Sequence, residues 1–143
     1  MKTNPTRYSS AVGEIWVMAT FKVKYCHNLF DKLAIREFAG AMFAEALYYY
    51  GIRWKKVSFD SNHVHIILDM GLYKKEEIAK KLKGFTATKI LKEFPWLKKW
   101  LLRGKGFWNR AYDMRTGDMN FYSRYLDGQK YASTNQVRLA AWT

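Results

Sequence analysis

The stretch Ser61-Asn62-His63-Val64-His65-Ile66-Ile67-Leu68 carries two of the chain's three histidines, one residue apart, in a run that ends in β-formers. On a strand, side chains alternate between faces, so His63 and His65 point one way while Val64, Ile66 and Leu68 point the other. One face packs and the other offers two imidazoles. Neutral imidazole is the commonest transition-metal ligand, and a strand holds such a pair at fixed separation. This is half of a metal site.

Immediately upstream, Asp60-Ser61-Asn62 is a polar turn, preceded by a strand from Ile52 to Phe59 with Val57 and Phe59 inward. The two strands make an antiparallel hairpin. Further back, residues 15 to 25 alternate, with Val17, Ala19, Phe21, Val23 and Tyr25 on one face of a strand. Between these strands, Asp31 to Tyr50 places Ile35, Phe38, Met42, Ala46 and Tyr49 at helical spacing before Gly51. Downstream of the histidines, Lys74 to Phe94 reads as a helix packing Ile78, Leu82 and Phe85 under a lysine-rich exterior, and Pro95 ends it. Trp96 to Gly106 is a basic, aromatic connector with its tryptophans tucked underneath. Trp108, Arg110, Tyr112 and Met114 alternate with Asn109, Ala111 and Asp113 as a fourth strand. After the Thr116-Gly117 turn, a last helix runs from about Asp118, its N-cap, to Ser133.

The order strand, helix, strand, strand, helix, strand, helix predicts an α+β fold. It is an antiparallel sheet with helices packed on one face, ferredoxin-like or RRM-like, plus a C-terminal helix. At 143 residues, one domain spanning 1–143 accounts for the chain. No window is apolar enough to span a bilayer and Met1 to Ser10 has no signal-like apolar core, so a soluble cytoplasmic protein is expected. Cys26, the single cysteine, excludes an internal disulfide and reads as an inert buried strand residue; His27 reads as structural.

A formal charge of +13, from 25 Lys and Arg against 12 Asp and Glu, points to a polyanionic partner. Nucleic acid fits better than a membrane surface, because the basic residues are scattered rather than gathered on one amphipathic helix. An aromatic content of 17% adds rings that can stack on unpaired bases.

On the last helix, Tyr125 and Gln129 are four residues apart, which predicts phenol and amide on one face, one turn apart. Tyr122 aligns with Leu126 and is expected to pack. Gly128 would then lie in mid-helix, at a cost on the order of 1 kcal/mol relative to Ala.

Taken together, His63-Val64-His65 after a hairpin turn, the lysine-rich helix ending in Glu93-Phe94-Pro95, the strand opening Phe107-Trp108, and Tyr125-Leu126-Asp127-Gly128-Gln129 resemble one known family. They are similar to the small HUH single-tyrosine transposases of bacterial and archaeal insertion sequences, the TnpA type. The resemblance covers nearly the whole chain. It implies that His63, His65 and Gln129 bind a divalent cation, Mg2+ or Mn2+, and that Tyr125 is the nucleophile. It further implies cleavage and rejoining of single-stranded DNA through a 5′-phosphotyrosine link, recognition of hairpins at element ends, and a nucleoid-associated homodimer in which one subunit's tyrosine helix serves the other's histidine pair. Gly128 departs from the family, where Asn is common. The chemistry is consistent: two neutral imidazoles and a neutral amide leave the cation's double charge unreduced. A phenol, with a reference pKa of about 10, needs help to become a nucleophile at neutral pH, and no helper is identifiable from the sequence.

Two other readings compete. A non-catalytic RRM-like RNA-binding module explains charge, aromatics and fold, but leaves the histidine pair and the tyrosine–glutamine pair as coincidences. A rolling-circle replication initiator or relaxase shares the histidine chemistry, but usually adds a third metal-binding histidine or carboxylate near the pair and is often larger, and the absence of a three-histidine cluster counts against it.

Overall fold

The computed structural model describes residues 15–103 and 106–131. Four strands form one sheet in the order β2-β3-β1-β4, with β1 at Trp16–Val23, β2 at Trp54–Phe59, β3 at His63–Asp69 and β4 at Trp108–Arg115. Every pairing is antiparallel. Helices α1 (Leu33–Tyr49), α2 (Lys75–Glu93) and α3 (Met119–Asp127) complete the expected order. Among the described residues no helix is long and apolar enough to cross a membrane.

The alternation read from β1 and β3 sorts the residues onto two faces. Val17, Ala19, Phe21, Val64, Ile66 and Leu68 join Phe43, Leu47, Ile78 and Leu82 in the main core, so α1 and α2 cover that face. Trp108, nearly buried at the start of β4, packs among Phe21, Phe30 and Phe43 and donates its indole N–H to Thr86 Oγ1 at 2.9 Å. On the opposite face, Met18 and Ile67 meet Leu126 of α3 in a second, smaller cluster. The third helix therefore sits across the sheet from the other two.

Several local expectations change. The first strand ends at Val23, and residues 24–26 form a 3-10 turn in which Tyr25 takes φ 61° and points to solvent, half exposed. Cys26 lies in that turn and is exposed rather than buried. A register shift between Phe21 and Val23 precedes the turn, so the alternation that includes Tyr25 has no strand to carry it. Tyr49 is largely exposed at the end of α1. In the connector, leucines Leu97 and Leu102 fill the interior from a π-helical turn at Leu97–Leu101, while Trp96 stays exposed.

The last helix stops at Asp127, six residues before the expected end; Ser133 lies outside the described residues. Gly128 is its C-cap and not a mid-helix position, so the helix-interior cost does not arise. The chain leaves the helix because other partners capture it. Tyr131 donates its N–H to Phe59 O at 3.2 Å, and the Tyr131 hydroxyl and Lys130 ammonium both donate to Asp31 Oδ1.

Replacing Thr86 by Val keeps its shape and removes the acceptor of a buried indole N–H. Thr86→Val is expected to lower the unfolding free energy by about 1–3 kcal/mol in urea titrations; a change within experimental scatter contradicts the packing described for Trp108.

Candidate active site

His63 and His65 occupy the same face of β3 with ring centroids 4.8 Å apart and planes nearly perpendicular. Their neighbours on β1 are Lys22 and Thr20, one opposite each. Each ring is fixed through Nδ1. For His63 the partner is Asn62 Oδ1 at 2.8 Å, and because a carbonyl oxygen only accepts, Nδ1 carries the proton. His63 Nε2 then holds a lone pair. For His65 it is Thr20 Oγ1 at 2.7 Å, a hydroxyl that can accept from or donate to Nδ1, so this contact orients the ring. Such outer partners are what orient and tune metal-binding imidazoles.

Burial keeps both rings neutral. His65 is 6% exposed, and desolvation first, then the neighbouring His63, push its pKa down to about 4 against the pull of Asp60 and Asp113. For His63 the shift is also downward, mainly from burial, with Asp60 opposing and Lys22 adding. Neutral imidazole is the form that donates to a metal.

Helix α3 brings the remaining groups to this face. Asp118 caps it, accepting from the Asn120 and Phe121 N–H groups at 2.9 and 3.3 Å. At the other end Lys56 of β2 donates to Ser123 O, Ser123 Oγ and Asp127 Oδ1 at 2.9, 2.7 and 2.6 Å, a cation placed where a helix C-terminus favours one. Ser58 Oγ donates to Leu126 O at 3.2 Å. With the helix held at these points and by Leu126, the Tyr125 ring lies 6.0 Å from the His65 ring, centroid to centroid. Tyr125 is 53% exposed and lines a cleft of about 450 Å³ together with His65, Thr20, Asp113 and Arg115. Tyr122 packs, as expected from its spacing, against the Met18, Ile67 and Leu126 cluster.

Gln129 does not share a helical face with Tyr125, since the helix has ended two residues earlier. Its side chain is nevertheless turned inward: Oε1 is buried without a hydrogen-bond partner, and so is His65 Nε2. Buried polar atoms are rarely left unsatisfied, so each such orphan asks for an occupant. Asp31 accounts for the placement, accepting from Ser61 Oγ, Lys130 Nζ and Tyr131 Oη, while the Arg36 guanidinium lies 3.8 Å from the Tyr131 ring centroid. These bonds hold the Asp31 pKa down to about 2. The segment after α3 is thereby tied down on both sides of the hairpin turn.

Among the described residues no group of three His, Cys, Asp or Glu side chains is arranged for a metal ion. An orphaned amide oxygen is a donor of another kind. The residue types fit a divalent cation: two neutral rings oriented through Nδ1, with His65 Nε2 and Gln129 Oε1 buried without partners. Sequence reasoning passed over Thr20, Asn62 and Lys56. Of these only Asn62 had a signal, its place beside His63; Thr20 and Lys56 become visible once strand register is known.

A family model described as an IS200-like transposase matches residues 11–129. A crystal structure of a candidate transposase from Deinococcus radiodurans R1 resembles the chain with a TM-score of 0.67 at 20% identity, over 82% of this chain and 92% of that one. A REP-associated tyrosine transposase bound to a REP hairpin gives a TM-score of 0.52 at 13% identity, over 90% of this chain and 70% of that one. At these identities the two structures speak for the fold. No curated protein matches.

Burial of His65 makes stability pH-dependent. The unfolded chain takes up a proton near pH 6.5 and the folded one only near pH 4, so between these values the unfolded state binds more protons and acid favours unfolding. Metal-free protein is expected to lose up to ~3 kcal/mol between pH 7 and pH 4, and His65→Gln to flatten that slope. Urea midpoints measured across this range check both; stability that holds or rises with acid contradicts the neutral, buried state of His65.

Proposed function

This chain belongs to the family of IS200-like transposases, and we propose that within it the protein cleaves and rejoins single-stranded DNA through Tyr125, with His63, His65 and Gln129 as ligands of Mg2+ or Mn2+. The observation that carries the reading is on the histidine face of the sheet: a phenol beside His65 in an open cleft, with His65 Nε2 buried and without a partner. A divalent cation, when bound, supplies positive charge that polarises a scissile phosphate and stabilises charge on its oxygens.

The chain's own groups do the rest. Tyr125 Oη attacks phosphorus; an O–P bond to tyrosine forms, the bond from phosphorus to the 3′ oxygen breaks, and the proton lost by the phenol is balanced by one gained at the released 3′-hydroxyl. The strand remains attached as a 5′-phosphotyrosine, still a phosphodiester, so a second 3′-hydroxyl can displace the phenol without an external energy source. Asn62 holds His63 in its Nε2-donating tautomer and Thr20 fixes the orientation of His65. Lys56, Leu126 and Ser58 keep α3 seated so that the phenol stays over the cleft. The charge of +13 favours the phosphate backbone, at the expected cost of affinity as salt rises.

Hairpin recognition and homodimerisation belong to the same proposal. Gly117 takes φ 145° in the linker before α3, and an identical sheet in a second copy would offer the helix the same seat, which is how exchanged elements build symmetric dimers. The protein would then work at the nucleoid, in the cytoplasm.

With hairpin-containing single-stranded oligonucleotides from the flanks of the native gene and Mn2+, wild-type protein is expected to give a covalent protein–DNA species on a denaturing gel, and Tyr125→Phe none. An adduct with Tyr125→Phe overturns the nucleophile. An RRM-like binder would bind without metal and give no adduct with either protein. Exchange of α3 is tested by mixing Tyr125→Phe with the His63→Ala/His65→Ala double variant. Roughly a quarter of the wild-type signal should return, because half of randomly formed dimers are mixed and each mixed dimer holds one intact site; no return means each chain serves itself.

A further inference from the structure

A second cleft lies away from α3. The turn after β1 and the segment after the π-helical turn enclose about 360 Å³ between Tyr25, His27, Leu101 and Arg103, a volume within the range of small-ligand sites. Its backbone is unusual. The non-glycine residues with positive φ among the described residues are Tyr25 (61°), Cys26 (55°) and Arg103 (52°), and two of them line this cleft from opposite walls. Left-handed backbone is costly for residues with a Cβ, and such strain concentrates where a site needs side chains aimed in a particular direction.

The side chains so aimed are complementary to a flat heterocycle. Tyr25 presents a ring that is 50% exposed, edge-on to His27 at 6.1 Å, with the Arg103 guanidinium 5.9 Å from its centroid. His27 Nε2 donates to Leu101 O at 2.8 Å, because the carbonyl only accepts, which fixes the ring and leaves Nδ1 of the neutral imidazole as an acceptor. An aromatic face, a planar cation and an acceptor are what bind an unpaired base by stacking and an edge contact. Exposed Lys98 on the π-helical turn adds charge suited to the backbone of such a strand.

The cleft is also wired to the histidine pair. Asn62, whose Oδ1 accepts from His63 Nδ1, bonds through Nδ2 to Cys26 O at 3.5 Å, and its carbonyl accepts from Val23 N–H at 2.8 Å. One residue thus touches both the ring that faces the scissile position and the turn that carries Tyr25. We propose that this cleft receives one unpaired base of the single-stranded DNA whose phosphate is presented to His63 and His65. The inference rests on the strand-transfer reading above for the identity of the ligand, and on the cleft itself for the site.

The test is binding in the absence of metal, with Tyr125→Phe protein and a fluorescently labelled single-stranded oligonucleotide in which an abasic residue is walked through every position. One abasic position is expected to weaken binding about 5- to 100-fold. Adding Tyr25→Ala should cause a similar loss on the intact strand and make that abasic position neutral, while Tyr25→Phe, which keeps the stacking ring, restores binding. If Tyr25→Ala binds as tightly as its parent, or if its loss is the same for every abasic position, the pocket is wrong, even where wild-type protein forms its covalent adduct with Mn2+. Coupling between Tyr25 and one base with no adduct from wild-type protein would instead sink the strand-transfer reading and leave the pocket standing. The same coupling on RNA but not on DNA would overturn the choice of DNA.

Discussion

The docking of α3 onto the histidine face of the sheet is the constraint on which the site depends. A four-stranded antiparallel sheet with two helices on one side leaves its other side to water. Here that side is only partly polar: Met18 and Ile67 need cover, and Leu126 provides it. The apolar contact is small, so orientation comes from Lys56, which bonds the last turn of α3 at three places. Polar bonds of this kind contribute little net stability in water and much directional definition. Their effect is to hold Tyr125 beside His65 while leaving half of its surface open.

The histidine pair shows how a sheet fixes and desolvates two imidazoles on one face. Each ring is bonded through Nδ1 to an oxygen, and each is desolvated enough to remain neutral at physiological pH. The cost of this arrangement is borne by the fold, in the buried unsatisfied atoms His65 Nε2 and Gln129 Oε1. Across the hairpin turn, Asp31 ties down the residues that follow Gln129, so this side chain is positioned from behind by a carboxylate far from it in sequence.

Element order, the hairpin and most of the inward residues of β1 to β3 were legible in the sequence because strand alternation and the Asp60-Ser61-Asn62 turn are local signals. The end of the last helix was not. Four-residue spacing put Tyr125 and Gln129 on one helical face, whereas the helix ends at Asp127 and the chain is recruited by Phe59 O and Asp31, tertiary partners with no trace in the local pattern. Tyr25 and Cys26 were misplaced in the same way: alternation continues past Val23 in the sequence, but a register shift and a 3-10 turn bring both to the surface.

The central claim is that His63, His65 and Gln129 form one divalent-metal site with the imidazoles donating through Nε2. Selective paramagnetic broadening tests it most directly, using protein with 15N-labelled histidine and glutamine titrated with substoichiometric Mn2+. The Nε2 signals of His63 and His65 and the side-chain amide of Gln129 should broaden first and together, with His27 unaffected. Broadening of His27 to the same extent, or of the pair without Gln129, would contradict the account.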